Sequence, residues 1–225
     1  HDLAQRLFYL DPQNRFWTMH GKNVQHFLGK KNCTFKNDRK LTITYAVGGA
    51  GAQKEIGASI VHSLRHRLHG NEVQINLVAG IRPEVRTYFE EVKKEYGSEN
   101  ISIIFGESLH DYFQQFNTVM RTTDILWTKP SELSFYAGLG IPIIMTPTIG
   151  SQERFNRQWL YEIHAGMRQE NPEFTDQWLY DLIDNGTIAD MAWSGFLKAR
   201  KLGTKKILEV LRTGTMTRSN SPLER

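Results

Sequence analysis

Three short stretches hold residues whose types and spacing could do chemistry. The first is Gly48-Gly49-Ala50-Gly51-Ala52-Gln53, where an apolar run ending at Val47 breaks into small residues and a helical pattern begins. Such a turn presents backbone N–H groups and the positive end of a helix dipole at one place, and together these attract a phosphate. The second is Lys129-Pro130-Ser131-Glu132. Lys129 supplies a cation, Pro130 suits the first turn of a helix, and Ser131 can cap it. Glu132 could accept two hydrogen bonds from a ribose diol, although capping and dipole matching explain Ser131 equally well and Glu132 somewhat less well. The third stretch offers Gln152, Glu153 and Asn156, which combine donors and acceptors and suit sugar hydroxyls or an ordinary first helical turn.

The elements that must position these residues follow from periodicity. Strand-like runs occupy 41–47, 73–80, 101–106, 125–129 and 142–147, and helical patterns fill 53–69, 83–96, 108–121 and 131–138. Nearly continuous apolar strands separated by helices predict an α/β fold, a Rossmann-like parallel sheet with helices on both faces. In such a sheet ligands bind beyond the carboxyl ends of the strands, so all three stretches are expected on one rim. Helix 53–69 buries Ile56, Ile60, Leu64 and Leu68 and leaves His62, His66 and His69 on its other side. That row has metal-ligand spacing, but a solvated face is the commoner reading and no metal site is expected. GGAGAQ lacks the full G-x-G-x-x-G spacing, and the second strand runs into Gly80-Ile81-Arg82 with no acid, which argues against a dinucleotide dehydrogenase.

Outside the alternating region the signals are looser. Residues 1–40 mix Phe16, Trp17 and Phe27 with Arg15, His20, Lys22, His26, Lys30 and Lys31. A basic-aromatic membrane patch is one reading. A linker or remnant of an upstream domain, anchored by its aromatics, fits the irregular apolar stripe better. Residues 41–170 are expected to form the main domain, 171–213 a C-terminal helical extension packed on it or crossing back from it, and 214–225 a flexible polar tail. Arg200, Lys201, Lys205 and Lys206 cluster near one helix end, where a solvated terminus is a better account than nucleic-acid binding.

The totals bound the possibilities. The chain has 225 residues, 40% hydrophobic and 23% charged, with a net charge of +4. These are globular values, compatible with an anionic ligand and far from a nucleic-acid-binding composition. Lone Cys33 excludes an internal disulfide framework and suits a reducing compartment, so a cytoplasmic location is expected, with peripheral membrane contact allowed. No apolar run approaches ~18 residues, so no membrane span is expected. The chain begins at His1 rather than Met, as a fragment of a longer protein would.

VGGAGAQ at 47–53, TKPSELSFYAGLGIPIIMTP at 128–147 and the Gln152…Asn156 pair give the chain a family resemblance. Over roughly residues 41–166 it resembles the C-terminal, donor-binding half of GT-B glycosyltransferases, the group containing MurG and the diacylglycerol glycosyltransferases. The resemblance implies that Gly48, Gly49, Ala50, Gly51, Lys129, Pro130 and Ser131 bind the pyrophosphate of a nucleotide diphosphate sugar, most simply a UDP-sugar. Glu132 would meet the ribose, and Gln152, Glu153 and Asn156 the sugar. It further implies metal-independent transfer without a cofactor, a missing N-terminal domain carrying the acceptor (a lipid is one candidate) and the unnamed catalytic base, and no turnover by this fragment alone. Two departures stand out: Ala50 occupies the place of the family's serine, and Phe135 that of its ribose-binding glutamate, with Glu132 a turn earlier. They motivate the alternatives of an inactive nucleotide-binding or interaction module and of a sugar-nucleotide epimerase-like domain.

Overall fold

The computed structural model describes residues 2–35, 37–48, 51–131, 133–148, 150–216 and 221. Gly49, Ala50 and Glu132, three of the candidate site residues, lie outside the described residues, as does most of the 214–225 tail.

In chain order the elements are α1 (Asp2–Tyr9), α2 (Arg15–Leu28), β1 (Leu41–Ala46), α3 (Lys54–Ser63), α4 (Arg65–His69), β2 (Val73–Gly80), α5 (Pro83–Tyr96) and β3 (Ile101–Phe105). Then come α6 (Leu109–Thr122), β4 (Ile125–Thr128), α7 (Leu133–Gly138), β5 (Ile143–Met145), α8 (Ser151–Glu162), β6 (Gly166–Arg168), α9 (Thr175–Asp184), α10 (Thr187–Lys198) and α11 (Gly203–Thr213). The six strands form one sheet in the order β3-β2-β1-β4-β5-β6, and every pair in it is parallel. The expected fold class therefore holds: a Rossmann-like α/β sheet with a C-terminal helical extension.

Alternation along the strands explains the two covered faces. Ile43 and Tyr45 of β1, Ile75 and Leu77 of β2, and Trp127 of β4 face one core with Ile60, Leu64 and Phe89. Ala46, Val78 and Leu126, one residue out of phase, meet Phe116 and Met120 of α6 on the other face. The second face is not wholly apolar: Asn76 Nδ2 donates to Thr44 Oγ1 at 3.1 Å and Thr44 Oγ1 lies 2.7 Å from Thr123 Oγ1, all buried, so β1 and β2 alternate before both faces turn apolar toward their carboxyl ends.

Three differences from the sequence-based expectation have physical causes. The single helix over 53–69 divides at Leu64, although Leu68 N–H still donates to the Leu64 carbonyl. The edge strand β6 is only three residues long, too short to show a period. Residues 2–28 fold as two helices whose Leu3, Leu7, Phe16 and Val24 join the core of the sheet. Asp11 supplies the α2 start by accepting hydrogen bonds from the Phe16 and Trp17 N–H groups at 3.1 and 2.8 Å. Only Phe16 and Val24 of α2 are buried, eight positions apart, so the stripe is too sparse for periodicity to register.

The amino edge of the sheet is closed by charge. Arg6 is buried and donates to the carbonyls of Thr123, Leu139 and Gly140. Arg39 makes a two-pronged contact with Asp124 at 2.5 and 2.7 Å, and the Thr42 N–H donates to the same carboxylate at 2.9 Å. Burial lowers the Arg6 guanidinium to about 10 and pushes the Asp124 carboxyl up, while the Arg39 fork opposes the latter shift.

Candidate functional site

Strand order reverses between β1 and β4, since the chain winds outward from β1 in one direction and from β4 in the other. A crevice opens there at the carboxyl edge, lined by the loops after β1 and β4, and the loop after β5 is tied to both.

The β1 loop begins at Val47 and Gly48. Gly51 has φ +71°, and a Cβ on it would stand 2.9 Å from Val85 Cγ2, so both conformation and space call for glycine. A Cβ on Gly48 would meet Lys129 Cδ at 2.5 Å, so the bare backbone of Gly48 is what lets the lysine lie across the loop. Lys129 then reaches Glu153, with Nζ 3.2 Å from Oε1 and both side chains mostly buried. Asn156 donates through Nδ2 to the carbonyls of Pro130 at 3.0 Å and Ser131 at 2.9 Å. Gln53, at φ +70°, donates through Nε2 to the Pro147 carbonyl at 3.1 Å, while its own carbonyl accepts from the Tyr45 hydroxyl. Each loop is thus tied to both of the others.

The described candidates therefore meet at one place, but not all in the attitude their types suggested. The Asn156 amide is engaged with the loop after β4. Lys129 is paired. Ser131 is exposed, and its N–H donates to the Lys129 carbonyl at 2.8 Å. Gln152 is exposed, and its side chain makes no hydrogen bond among the described residues. Helices α3 and α8 both start at this edge without a side-chain cap, whereas Ser108 caps α6 by accepting from the Asp111 N–H. Two uncapped N-termini leave N–H donors available to an anion.

Several lining residues carried no warning in the sequence. A pocket of about 130 Å³ lies between the β1 and β4 loops and α6 and α7, walled by Gly48, Lys129, Ser131, Tyr112, Phe116 and Tyr136. A second pocket of about 270 Å³ shares Val47, Gly48 and Tyr112 and extends toward Gly80 and Arg82. Tyr112 and Phe116 have ring centroids 5.5 Å apart, and Phe116 and Tyr136 6.2 Å, so the wall is a continuous aromatic rank. At the same edge Gln53 Oε1 and Thr146 Oγ1 are buried with no hydrogen-bond partner among the described residues. A buried acceptor or hydroxyl left alone costs on the order of 1–3 kcal/mol, which a ligand or water hydrogen bond would recover. Among the described residues no group of three or more His, Cys, Asp or Glu is placed to hold a metal ion, and no helix is long and apolar enough to cross a membrane.

This fold is that of one half of a GT-B protein, and the likeness to MurG expected from residues 41–166 holds at the level of fold. The MurG structure of Acinetobacter baumannii superposes with a TM-score of 0.58 at 17% identity, over 79% of this chain and 50% of that one. The UDP-GlcNAc 2-epimerase of Neisseria meningitidis, solved bound to UDP-GlcNAc, gives 0.55 at 12% identity over 93% of this chain and 53% of that one. S. aureus MnaA, solved with UDP, gives 0.54 at 13% identity, covering 84% and 51%. The chain spans about half the length of each. By sequence it belongs to the family described as a domain of unknown function, DUF6938, whose model matches residues 82–204. No curated protein matches it.

Proposed function

We propose that this chain is the nucleotide-sugar-binding half of a glycosyltransferase, holding a UDP-sugar in the crevice between β1 and β4. The observation that carries the reading is the mutual tying of the three loops around that crevice, with Lys129 across Gly48 and two uncapped helix starts facing the same rim. Lys129, the Gly48–Gly51 turn and the Pro130-Ser131 loop would take the diphosphate. The aromatic rank of Tyr112, Phe116 and Tyr136 would take the base by stacking. Glu132 keeps the ribose assignment on sequence grounds, and Gln152 and Glu153 the sugar. Asn156 acts one step back, holding the Pro130 and Ser131 carbonyls in place. The fold likeness to proteins solved with UDP and UDP-GlcNAc supports uridine as the base.

Transfer breaks the bond between the sugar and the diphosphate, so negative charge grows on the leaving phosphate. Lys129 and the exposed N–H groups would stabilise it, which is the usual role of preorganised donors and requires no metal. Residues 41–170 would form this domain, with helices α1 and α2 before it and α9 and α10 after it packed against it. A further domain would supply the acceptor and the catalytic base.

Titrating UDP, then UDP-sugars, into the purified chain by calorimetry tests the reading. Saturable binding of UDP is expected, tighter than that of uridine. No saturable binding at millimolar ligand would instead mark a module that has lost the site. An epimerase-like domain would exchange a sugar proton with deuterated solvent without any acceptor, which proton NMR would detect.

A further inference from the structure

Positive charge gathers in two stretches of this chain, residues 1–40 at a net +5 and residues 198–213. Between Lys198 and Thr213 stand Lys198, Arg200, Lys201, Lys205, Lys206 and Arg212 against the single acid Glu209, a net +5. The whole chain carries +4, so the remaining residues sum to −1. This segment contains α11, in which no residue is buried.

Helix α11 is sharply two-sided. At about 100° per residue, Val210, Ile207, Leu211 and Leu208 fill one continuous arc of roughly 160°, while Lys205, Lys206, Glu209 and Arg212 fill the opposite side. The apolar arc faces water: Ile207 is 63% and Leu211 76% exposed. Where the chain leaves the body, Lys201 lies against Gly138 of α7, with 3.5 Å from its Cγ to a Cβ built there, and Phe135 of that helix and Leu139 just after it are exposed too. An apolar face opposed by a basic one matches two layers at once, an acyl boundary and a plane of anionic head groups. A nucleic acid would satisfy the cations but leave the four aliphatic side chains in water. A convex helix with no buried residue, flanked by basic residues on the preceding stretch, suits a broad anionic plane.

We propose that α11 is a membrane-surface anchor that lies in the head-group plane of a bilayer rich in anionic lipid, with Ile207, Leu208, Val210 and Leu211 in the acyl boundary and Lys205, Lys206 and Arg212 at the phosphates. It places the carboxyl-terminal side of the domain against the membrane and does not depend on which ligand the crevice takes.

Flotation of the full chain with vesicles tests this. Binding is expected to vesicles containing about one-third phosphatidylglycerol, and at least roughly tenfold less to phosphatidylcholine alone or at high salt. Ile207→Glu with Leu211→Glu should abolish flotation, and Lys205→Glu with Arg212→Glu should weaken it about tenfold or more. All four side chains lack packing partners in the core, so circular dichroism and the thermal midpoint should not move. Equal binding to neutral vesicles, or unchanged binding by the Glu variants, overturns the proposal. So does the absence of flotation. If sedimentation then shows a concentration-dependent dimer that Leu211→Glu dissolves, α11 pairs with a second copy. If the chain stays monomeric, the helix covers another protein surface.

Discussion

The two edges of the sheet are built on opposite plans. At the amino edge charged groups are matched and sealed: Asp124 is fully buried, receives two Arg39 contacts and one N–H, and sits near the equally buried Arg6. At the carboxyl edge the ties are between loops, Gln53 Oε1 and Thr146 Oγ1 are left without partners, and α3, α5 and α8 begin without a side-chain cap. The amino edge commits its charged groups to the fold, although the buried Tyr180 hydroxyl beside it also lacks a partner among the described residues, and the carboxyl edge keeps an amide oxygen, a hydroxyl and helix N–H groups in reserve. This division points to function at the carboxyl edge, where even the paired Lys129 and Glu153 stand beside unpartnered groups and uncapped helix starts.

The largest test of this contrast is at the amino edge. Asp124→Ala strands Arg39 and removes the counter-charge near buried Arg6, and should cost about 3–5 kcal/mol in urea unfolding, with nucleotide affinity unchanged in whatever fraction stays folded. Next comes Lys129→Ala, which should weaken UDP and UDP-sugars alike by about tenfold, since both carry the diphosphate. Gly48→Ala follows, whose Cβ would push Lys129 aside. It should weaken UDP by up to about tenfold, no more than removing the lysine does, while unfolding moves little. Asn156→Ala frees two carbonyls of the Pro130-Ser131 loop and should cost about 1 kcal/mol of stability and a few-fold in affinity for every ligand. The smallest effect is Gln152→Ala, a few-fold loss confined to the sugar-bearing ligand. Equal losses for UDP and UDP-sugar in that variant would remove Gln152 from the sugar side. A binding defect in folded Asp124→Ala as large as that of Lys129→Ala would erase the distinction between the two edges.

Legibility in the sequence followed the range of the interaction. Helix α5 was expected over 83–96 and occupies Pro83–Tyr96, because Pro83 and the following Gly97 bracket it locally. The glycine turn after β1 was equally plain, since a left-handed Gly51 leaves its mark in residue type. Helix α2 was not legible, because its start depends on Asp11, four residues before its first helical residue, and its burial on only two side chains. The aromatic wall was hidden for a different reason. Tyr112 and Phe116 look like any amphipathic stripe until α6 and α7 are placed on the same face of the sheet.

The sequence by itself determined the parallel α/β layering, the carboxyl-edge location of the three loops and the concentration of charge between Lys198 and Thr213, since each is written in local periodicity, glycine or composition. Only the tertiary structure decided that Lys129 meets Glu153 across 24 residues, that Asn156 holds the Pro130 and Ser131 carbonyls, and that Arg6 reaches Thr123 across 117. Periodicity records which face of an element is buried. It carries no record of which distant group a polar side chain will find there, because that choice is made by the packing of whole elements against one another.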